Sequence, residues 1–481
     1  MAGVAIERIG VTALHDAGFF GEGQLVALCD TGLDLGDSAN LHPTLSHAPI
    51  EAVSYRPSRR WDDPHGHGTH LAGCLVGRGD GPEGPWSGSA PGAGLYLQST
   101  YRSHSQPFGN RPPRIEGLLR TAWAAGARIH AHGWAERSGG GVYSMAAREI
   151  DRVAAELPEL LIVVAVGNEG RYAGPGDGPA PGTLRSPSTA RNALCVGAGK
   201  NHRPEHSRPF REFFEARQGG SGHAVIHTLP PPLLDDGWSL GPDAVAPFSG
   251  RGPTQDGRIK PDLIAPGTAL LASRSRHPSC IFPTEWGASS DPHLALLGGT
   301  SGAVPLVAGA AAIARQVLID EMGVSAPSSA LLRAVLLNGA DLLHGARVPN
   351  WNQGWGRLNL AGSLARAPDR SLRVFEEELR EGDRFRIDLP MRDDGGPARI
   401  TLAWTDPPGE RLMSDLDLEV RGDDGVLRGN QPAGDAEFDR RNPQERVIVD
   451  RPGRELEVVV RAHRLDAGPQ RFALAVAGPL A

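Results

Sequence analysis

Residues 25–36 read LVALCDTGLDLG. The first five are an unbroken apolar run of strand length, and Asp30, Gly32 and Gly36 then turn the chain. Apolar side chains on both faces of a strand are the pattern of a parallel sheet covered by helices. The runs 161–166 (LIVVAV) and 193–196 (ALCV) repeat it, and helix-like stretches at 115–125 and 146–156 lie between them. Strands alternating with helices predict an α/β fold with an open, mainly parallel sheet flanked by helices. Asp30 closes its strand, and α/β sheets carry their functional groups at that edge. A turn-forming aspartate fits the same position.

The rest of the chain bounds the problem. It has 481 residues, 40% hydrophobic and 22% charged, enough apolar material for a packed core. With 49 basic against 56 acidic residues, the net charge of −7 excludes a nucleic-acid-coating protein. Gly (63) and Pro (41) exceed a fifth of the residues, which excludes a coiled coil or helical solenoid. The cysteines Cys29, Cys74, Cys195 and Cys280 form no CxxC pair, so a thiol-rich zinc site is not expected. The first three sit in apolar runs and read as buried free thiols.

The opening twenty residues carry Glu7, Arg8 and Asp16, so no signal peptide is read there. The chain as written is expected in the cytoplasm, or secreted if it is a mature or truncated form. The segment 294–314 (LALLGGTSGAVPLVAGAAAIA) is uncharged over nearly the length of a membrane span. Gly298, Gly299, Gly302 and Pro305 break it, so it reads as a buried helix with a glycine-rich entry and Pro305 in its first turn. No membrane or nucleic-acid partner is expected, and oligomeric state is not legible.

Two domains are predicted, 1–367 and 371–481. In the second, the runs 384–389, 398–404, 415–420, 446–449, 455–460 and 471–476 are short, mostly alternating and separated by turns, as in an antiparallel β-sandwich. Residues 201–245 form a long insertion without periodicity, containing Arg203, Arg208, Arg211 and Arg217. It is expected to act as a lid or exosite, or to be a solvated loop.

Three further residues carry chemistry. His67 sits in DDPHGHGTHLAGCLVG (62–77), at the start of an apolar helix and among glycines that admit another backbone. A metal reading of His67 with His70 lacks a third ligand. His70 reads as structural. Ser301 lies where a glycine-rich turn enters the buried helix, beside a helix N-terminus that favours developing negative charge. A helix cap is the plainer role for it. Asn168, in GNEG after a buried strand, has an amide able to donate to an oxyanion.

Asp30, His67 and Ser301 follow the chain order of one serine-hydrolase arrangement. The contexts CDTGLD, HGHGTHLAG, VGNEG, FSGRGPTQDGRIKPDLIAPGT (248–268) and GGTSGAVPLVAG resemble those of subtilisin-like serine proteases, the subtilases of peptidase family S8. In the second domain, ITLAWTDPPG, SDLDLEV, DRRNPQERV and PQRFALAV resemble the jelly roll of the oxidatively stable alkaline protease branch.

The resemblance implies a serine endopeptidase acting on polypeptides. Ser301 is the nucleophile, His67 the general base, Asp30 the group orienting His67, and Asn168 an oxyanion donor. It implies that substrate lies extended between Gly133–Trp134–Ala135 on one side and Ala165–Val166–Gly167 on the other. It implies no cofactor for the chemistry. Structural Ca2+ is expected as an option, with Asp415, Asp417 and Asp439 as candidate ligands. The competing readings are a pseudoprotease or binding protein, and a dedicated processing protease or transpeptidase.

Four departures stand out. Gly302 replaces the methionine that usually follows the nucleophile, which implies peroxide tolerance and a looser nucleophile turn. Val304 replaces a common threonine. His132 and Gly133 replace the usual polar and small pair, which leaves primary specificity open. Only 29 residues precede Asp30, so no prodomain is read in the chain as written.

Overall fold

A computed structural model describes residues 2–81, 84–112, 114–136, 139–172, 178–212, 231–281, 286–346, 348–392, 396–423, 425–432 and 434–481. The apolar runs form a seven-stranded parallel sheet. Its strands are β1 (Leu25–Asp30), β2 (Ile50–Ser54), β5 (Gly94–Ser99), β6 (Ile129–His132), β7 (Leu161–Ala165), β8 (Leu194–Gly199) and β9 (Leu263–Pro266), with a small ribbon, β3 (Arg78–Gly81) and β4 (Gly84–Ser87), set apart. The order is β2-β5-β1-β6-β7-β8-β9. Strand β1 is therefore where the winding reverses, and the crevice opens at its carboxyl end.

Two short helices, α1 (Ala2–Arg8) and α2 (Thr12–Asp16), precede the sheet. The faces of the sheet are covered by different helices. Val26 and Leu28 of β1 join one core with α3 (His67–Val76) and α6 (Thr300–Asp320). Cys29 joins another with α4 (Glu116–Ala124) and α5 (Met145–Glu156). Helix α6 is long and apolar enough to cross a membrane, but here most of its side chains are buried in the core. Pro305 lies in its second turn rather than the first. Its missing N–H leaves the Ser301 carbonyl without a partner four residues on.

An antiparallel hairpin, β10 (Leu270–Ser273) and β11 (Leu294–Leu297), leads into α6. The described ends of the 201–245 insertion pack beside it. Phe210 and Trp238 are buried, and Trp238 meets Trp286 edge to face. Arg203 is buried against Glu205, and Arg211 pairs with Asp235. Residues 213–230, with Arg217, lie outside the described residues.

The C-terminal strands make two four-stranded antiparallel sheets. One is ordered β12-β19-β14-β17, from Ser371–Leu379, Gln470–Gly478, Ala398–Trp404 and Gln444–Val449. The other is β13-β18-β15-β16, from Arg384–Pro390, Glu455–Leu465, Ser414–Gly422 and Gly425–Arg428. Leu402, Trp404, Leu416, Leu418, Val458 and Leu474 fill the space between them.

The sandwich is bonded to the α/β unit through α7 (Ser329–Gly339), which is buried along its whole length against β14 and β19. Arg446 of β17 donates to the Leu337, Ala340 and Trp355 carbonyls at 2.7, 2.9 and 2.8 Å. Leu337 and Ala340 lie at the end of α7, where carbonyls lack the helix bond from four residues on. Asp262 ties three elements together. Its Oδ2 accepts from Cys195 N and Lys260 Nζ, each at 2.6 Å, and its Oδ1 accepts from Gln444 Nε2 at 2.6 Å.

Asp406 is a titrating group at this junction. It accepts from the Ser414 and Met413 amides, and its backbone exchanges bonds with the side chain of Asn192. Burial lifts its carboxyl to about 7, against the pull of those amides and of Arg191. A carboxyl raised on folding contributes stability at low pH and loses it as pH rises toward the folded value. Asp406→Asn carries no such term, so its Tm relative to wild type should rise between about pH 5 and about pH 8 and then level off. Melting curves across that range test this; a pH-independent difference contradicts it.

Candidate active site

Asp30 ends β1 and is fully buried. Its Oδ1 accepts from the Thr31 amide at 2.8 Å, and lies 3.2 Å from the Thr31 hydroxyl and 2.7 Å from His67 Nδ1. Because a carboxylate only accepts, Nδ1 carries the proton, and Nε2 faces the Ser301 hydroxyl at 3.0 Å as the acceptor. His67 opens α3 after Gly66, whose φ of 88° is a left-handed conformation suited to glycine. That places the ring at the mouth of the crevice, with its side chain 16% exposed.

The start of α3 is fixed by Asp63, which the sequence reading did not single out. Its Oδ1 accepts from Thr31 Oγ1 and Gly66 N at 2.8 and 2.9 Å. Its Oδ2 accepts from Thr69 N and Oγ1 at 2.8 and 2.7 Å. His70 is structural, its Nε2 lying 2.9 and 3.2 Å from the Leu270 and Ala295 carbonyls of the hairpin. Burial pushes its imidazole down to about 4, which keeps it neutral.

Ser301 stands in the first turn of α6, where amide groups lack intrahelical partners. Asn168 follows β7, and its Oδ1 accepts from Thr300 N and Oγ1 at 2.8 and 3.1 Å. Those two bonds hold the amide in one orientation and leave its NH2 toward Gly299. A Cβ on Gly299 would stand 3.1 Å from Ser301 Oγ and 3.3 Å from Asn168 Nδ2. Glycine at φ 136° therefore keeps open the space between hydroxyl and amide. The four residues singled out in the sequence come together here.

The expected looseness after the nucleophile is not found. A Cβ on Gly302 would meet Leu270 Cδ1 at 2.6 Å, so Leu270 already fills the space beside it. The Gly302 amide also bonds the Gly299 carbonyl at 3.1 Å.

The two expected pocket walls flank this centre. A Cβ on Gly133 would lie 2.2 Å from Leu71 Cδ2 and 2.9 Å from Asp30 Oδ2, so only glycine fits there. His132 is buried behind the wall, stacked on His130 at 4.4 Å and edge to face with Trp134 at 5.1 Å. Trp134 and Ala135 continue the wall, with Trp134 buried under the Arg111 guanidinium. Phe108 meets both His67 and Trp134, at 5.9 and 6.2 Å between ring centres. Beyond it lies a cavity of about 300 Å3, lined by Arg111, Ile115, Trp134, Glu136 and Glu149. Opposite, Ala165, Val166 and Gly167 lead directly to Asn168, with Gly167 at φ 94°. Phe108 and Arg111 were not legible as site residues, because only the fold brings their loop over the crevice.

The calcium candidates do not fit an ion. Arg440 Nη1 sits on Asp417 and lies 3.3 Å from Asp415. Asp439 accepts from the Asn430 and Asn442 amides at 2.7 Å each. Among the described residues, no group of three or more His, Cys, Asp or Glu is placed to hold a metal.

Residues 21–356 match the sequence profile of the subtilase family, peptidase S8. The serine protease AprX of Bacillus subtilis is 27% identical over 62% of this chain and 58% of its own length. The serine protease/ABC transporter B family protein tagD of Dictyostelium discoideum is 26% identical over 83% of this chain. This chain spans only 28% of that relative's length. Among solved structures, fervidolysin from Fervidobacterium pennivorans, a keratinolytic enzyme related to subtilisin, shares the fold. Its TM-score is 0.50 at 19% identity, over 92% of this chain and 53% of that one.

The electrostatics set a pH limit. Burial works against the imidazolium of His67, but the charge and hydrogen bond of Asp30, with Asp63 behind, outweigh it. They lift His67 above its ordinary 6.5. A general base must be neutral, so rate falls as pH drops through that value. The acid limb of kcat/KM should therefore lie above pH 6.5. A pH–rate profile with its acid limb at or below about pH 6 contradicts this assignment.

Proposed function

Because this chain belongs to the subtilase family, we propose that it is a serine endopeptidase that hydrolyses peptide bonds in polypeptides. The observation that carries the reading is the continuous relay from Asp30 Oδ1 to His67 at 2.7 Å and from His67 to Ser301 Oγ at 3.0 Å. Substrate lies extended between the two walls, with its scissile carbonyl over Ser301. His67 Nε2 takes the Ser301 proton as Oγ attacks, and returns it to the leaving amine. Asp30 keeps the proton on Nδ1 and stabilises the imidazolium as it forms. The Asn168 NH2 and the Ser301 amide receive the oxyanion. Water then repeats the sequence to release the acyl group.

Loss of a side-chain oxyanion donor costs about 10²–10³ in kcat, a magnitude taken from subtilisin itself rather than derived from this geometry. Asn168→Ala should lower kcat by about that factor and change KM little. Labelling with a fluorophosphonate probe tests the nucleophile. Wild type should label and cleave unfolded casein, and Ser301→Ala should do neither. A folded wild-type sample that takes no probe contradicts the reading.

No cofactor takes part in these steps. For structural calcium, we read Asp415 and Asp417 as counter-ions of Arg440 rather than ligands, and Asp439 as the acceptor for the turn amides around it. Excess chelator should leave Tm unchanged, and a fall in Tm that added calcium restores contradicts this.

A further inference from the structure

The space for the oxyanion lies between two chain segments, one carrying Asn168 and the other Ser301. Donors serve an oxyanion only at about 2.7–3.1 Å, so the separation of these segments has to be held closely. In front, the bonds from Thr300 to Asn168 Oδ1 tie them together. Behind, each segment rests on something else, and a single side chain touches both supports.

The Asn168 segment lies backbone to backbone on residues 247–250. The Gly170 amide donates to the Phe248 carbonyl, and the Gly250 amide donates to the Gly167 carbonyl, each at 2.8 Å. A Cβ on Gly170 would meet the Pro247 carbonyl oxygen at 2.5 Å, so the two stretches cannot part or slide independently. The nucleophile's segment rests on Trp286. A Cβ on Gly298 would overlap Trp286 Cζ2 and lie 2.6 Å from Cε2 and Cη2. The indole thus lies directly on the backbone, one residue before Gly299 at φ 136°. The same indole meets Phe248 edge to face, with ring centres 6.0 Å apart at 76°. Trp238, from the 201–245 insertion, closes behind it at 5.5 Å and 66°. All three rings are buried.

We propose that Trp286 is a positioning residue for the oxyanion donors, a rigid spacer that sets the nucleophile turn against the Asn168 segment, with Trp238 of the insertion as its backstop. This rests on the peptidase reading of Ser301. Two physical points carry it. An indole is flat and stiff, and a close-packed interior passes a displacement on instead of absorbing it. A ring resting on side chains leaves them room to adjust, whereas this one rests on glycine backbone, so a shift of the ring moves the turn itself. Glycine at 298 is what permits that contact. The described part of the insertion then has work to do at the catalytic centre without reaching substrate.

The test is a double-mutant cycle between Trp286 and Asn168, with rates of peptide hydrolysis expressed per site titrated by the fluorophosphonate probe and measured well below the Tm of every variant. Trp286→Leu should lower kcat by about 10- to 100-fold, the scale of a displacement of an ångström or less at a reacting centre, and should leave KM nearly unchanged. In the Asn168→Ala background the same substitution should cost only about threefold or less, because the donor it positions is already gone. Trp286→Phe, which keeps a flat ring, should recover most of the loss. Gly298→Ala disturbs the same contact from the other side without emptying the core, so the test does not hang on how well the leucine variant folds; it should lower kcat and couple to Asn168→Ala in the same way. Equal costs with and without Asn168 overturn the inference, as does a rise in KM at unchanged kcat. Wild type that takes no probe overturns the peptidase reading, and this inference with it; active wild type with an additive cycle overturns this inference alone.

Discussion

A carboxylate with no exposed surface, set at the end of the central strand, is the constraint around which the site is arranged. Burying such a group is costly unless donors surround it. Asp30 meets this at Oδ1, with the Thr31 amide and the His67 ring, while its Oδ2 is buried without a hydrogen-bond donor among the described residues. Each donor then needs an anchor. Asp63 gathers Thr31, Gly66 and Thr69, and so fixes how α3 leaves the crevice. His70, one turn further on, binds the hairpin β10–β11. That hairpin feeds into α6, which carries Ser301. Nucleophile, base and orienting acid thus belong to one closed circuit of hydrogen bonds. Removing a single buried partner leaves another unsatisfied, at about 1–3 kcal/mol.

Charge around this circuit is kept simple. Burial drives the histidines near the sheet neutral, with His70 at about 4, His130 at about 3 and His132 well below its ordinary value. It also pushes the thiols of Cys29, Cys74 and Cys195 up to about 12. Thiols held that high carry little thiolate and are poor nucleophiles. Among these groups only His67, lifted by Asp30, sits where it can exchange a proton near neutral pH. None of these buried histidines and thiols is thereby set to compete with His67 or Ser301.

The strand runs at 25–29, 161–166 and 193–196 were legible because burial on both faces leaves a continuous apolar signature. Asp30, His67, Asn168 and Ser301 were legible for a related reason: each sits beside glycines whose spacing is dictated by close backbone approach. Strand β12 was missed because it is an exposed edge, and its FEEEL sequence carries neither clean alternation nor an apolar run. Pro305 was placed too early because a helix start among glycines leaves no local mark to count from. Asp63, Phe108 and Arg111 lie in segments whose local sequence reads as ordinary turn. Their importance comes from what the fold sets opposite them, and no local pattern encodes that. The partner of Asp415 and Asp417 was hidden in the same way, because Arg440 reaches them from a loop twenty-odd residues on.

Helix α7 has a consequence for how this molecule is organised. All eleven of its residues are buried, with the sandwich on one side and the α/β unit on the other. Its terminal carbonyls are taken by Arg446 of the sandwich. A helix of this kind belongs to neither neighbour alone. Stripping away the sandwich would lay bare an apolar surface and remove the Arg446 donors, so the two halves are expected to melt in a single transition. The C-terminal strands are then less an appendage than the missing wall of the catalytic core. Any attempt to transplant the active site onto a shorter scaffold has to supply a substitute for that wall.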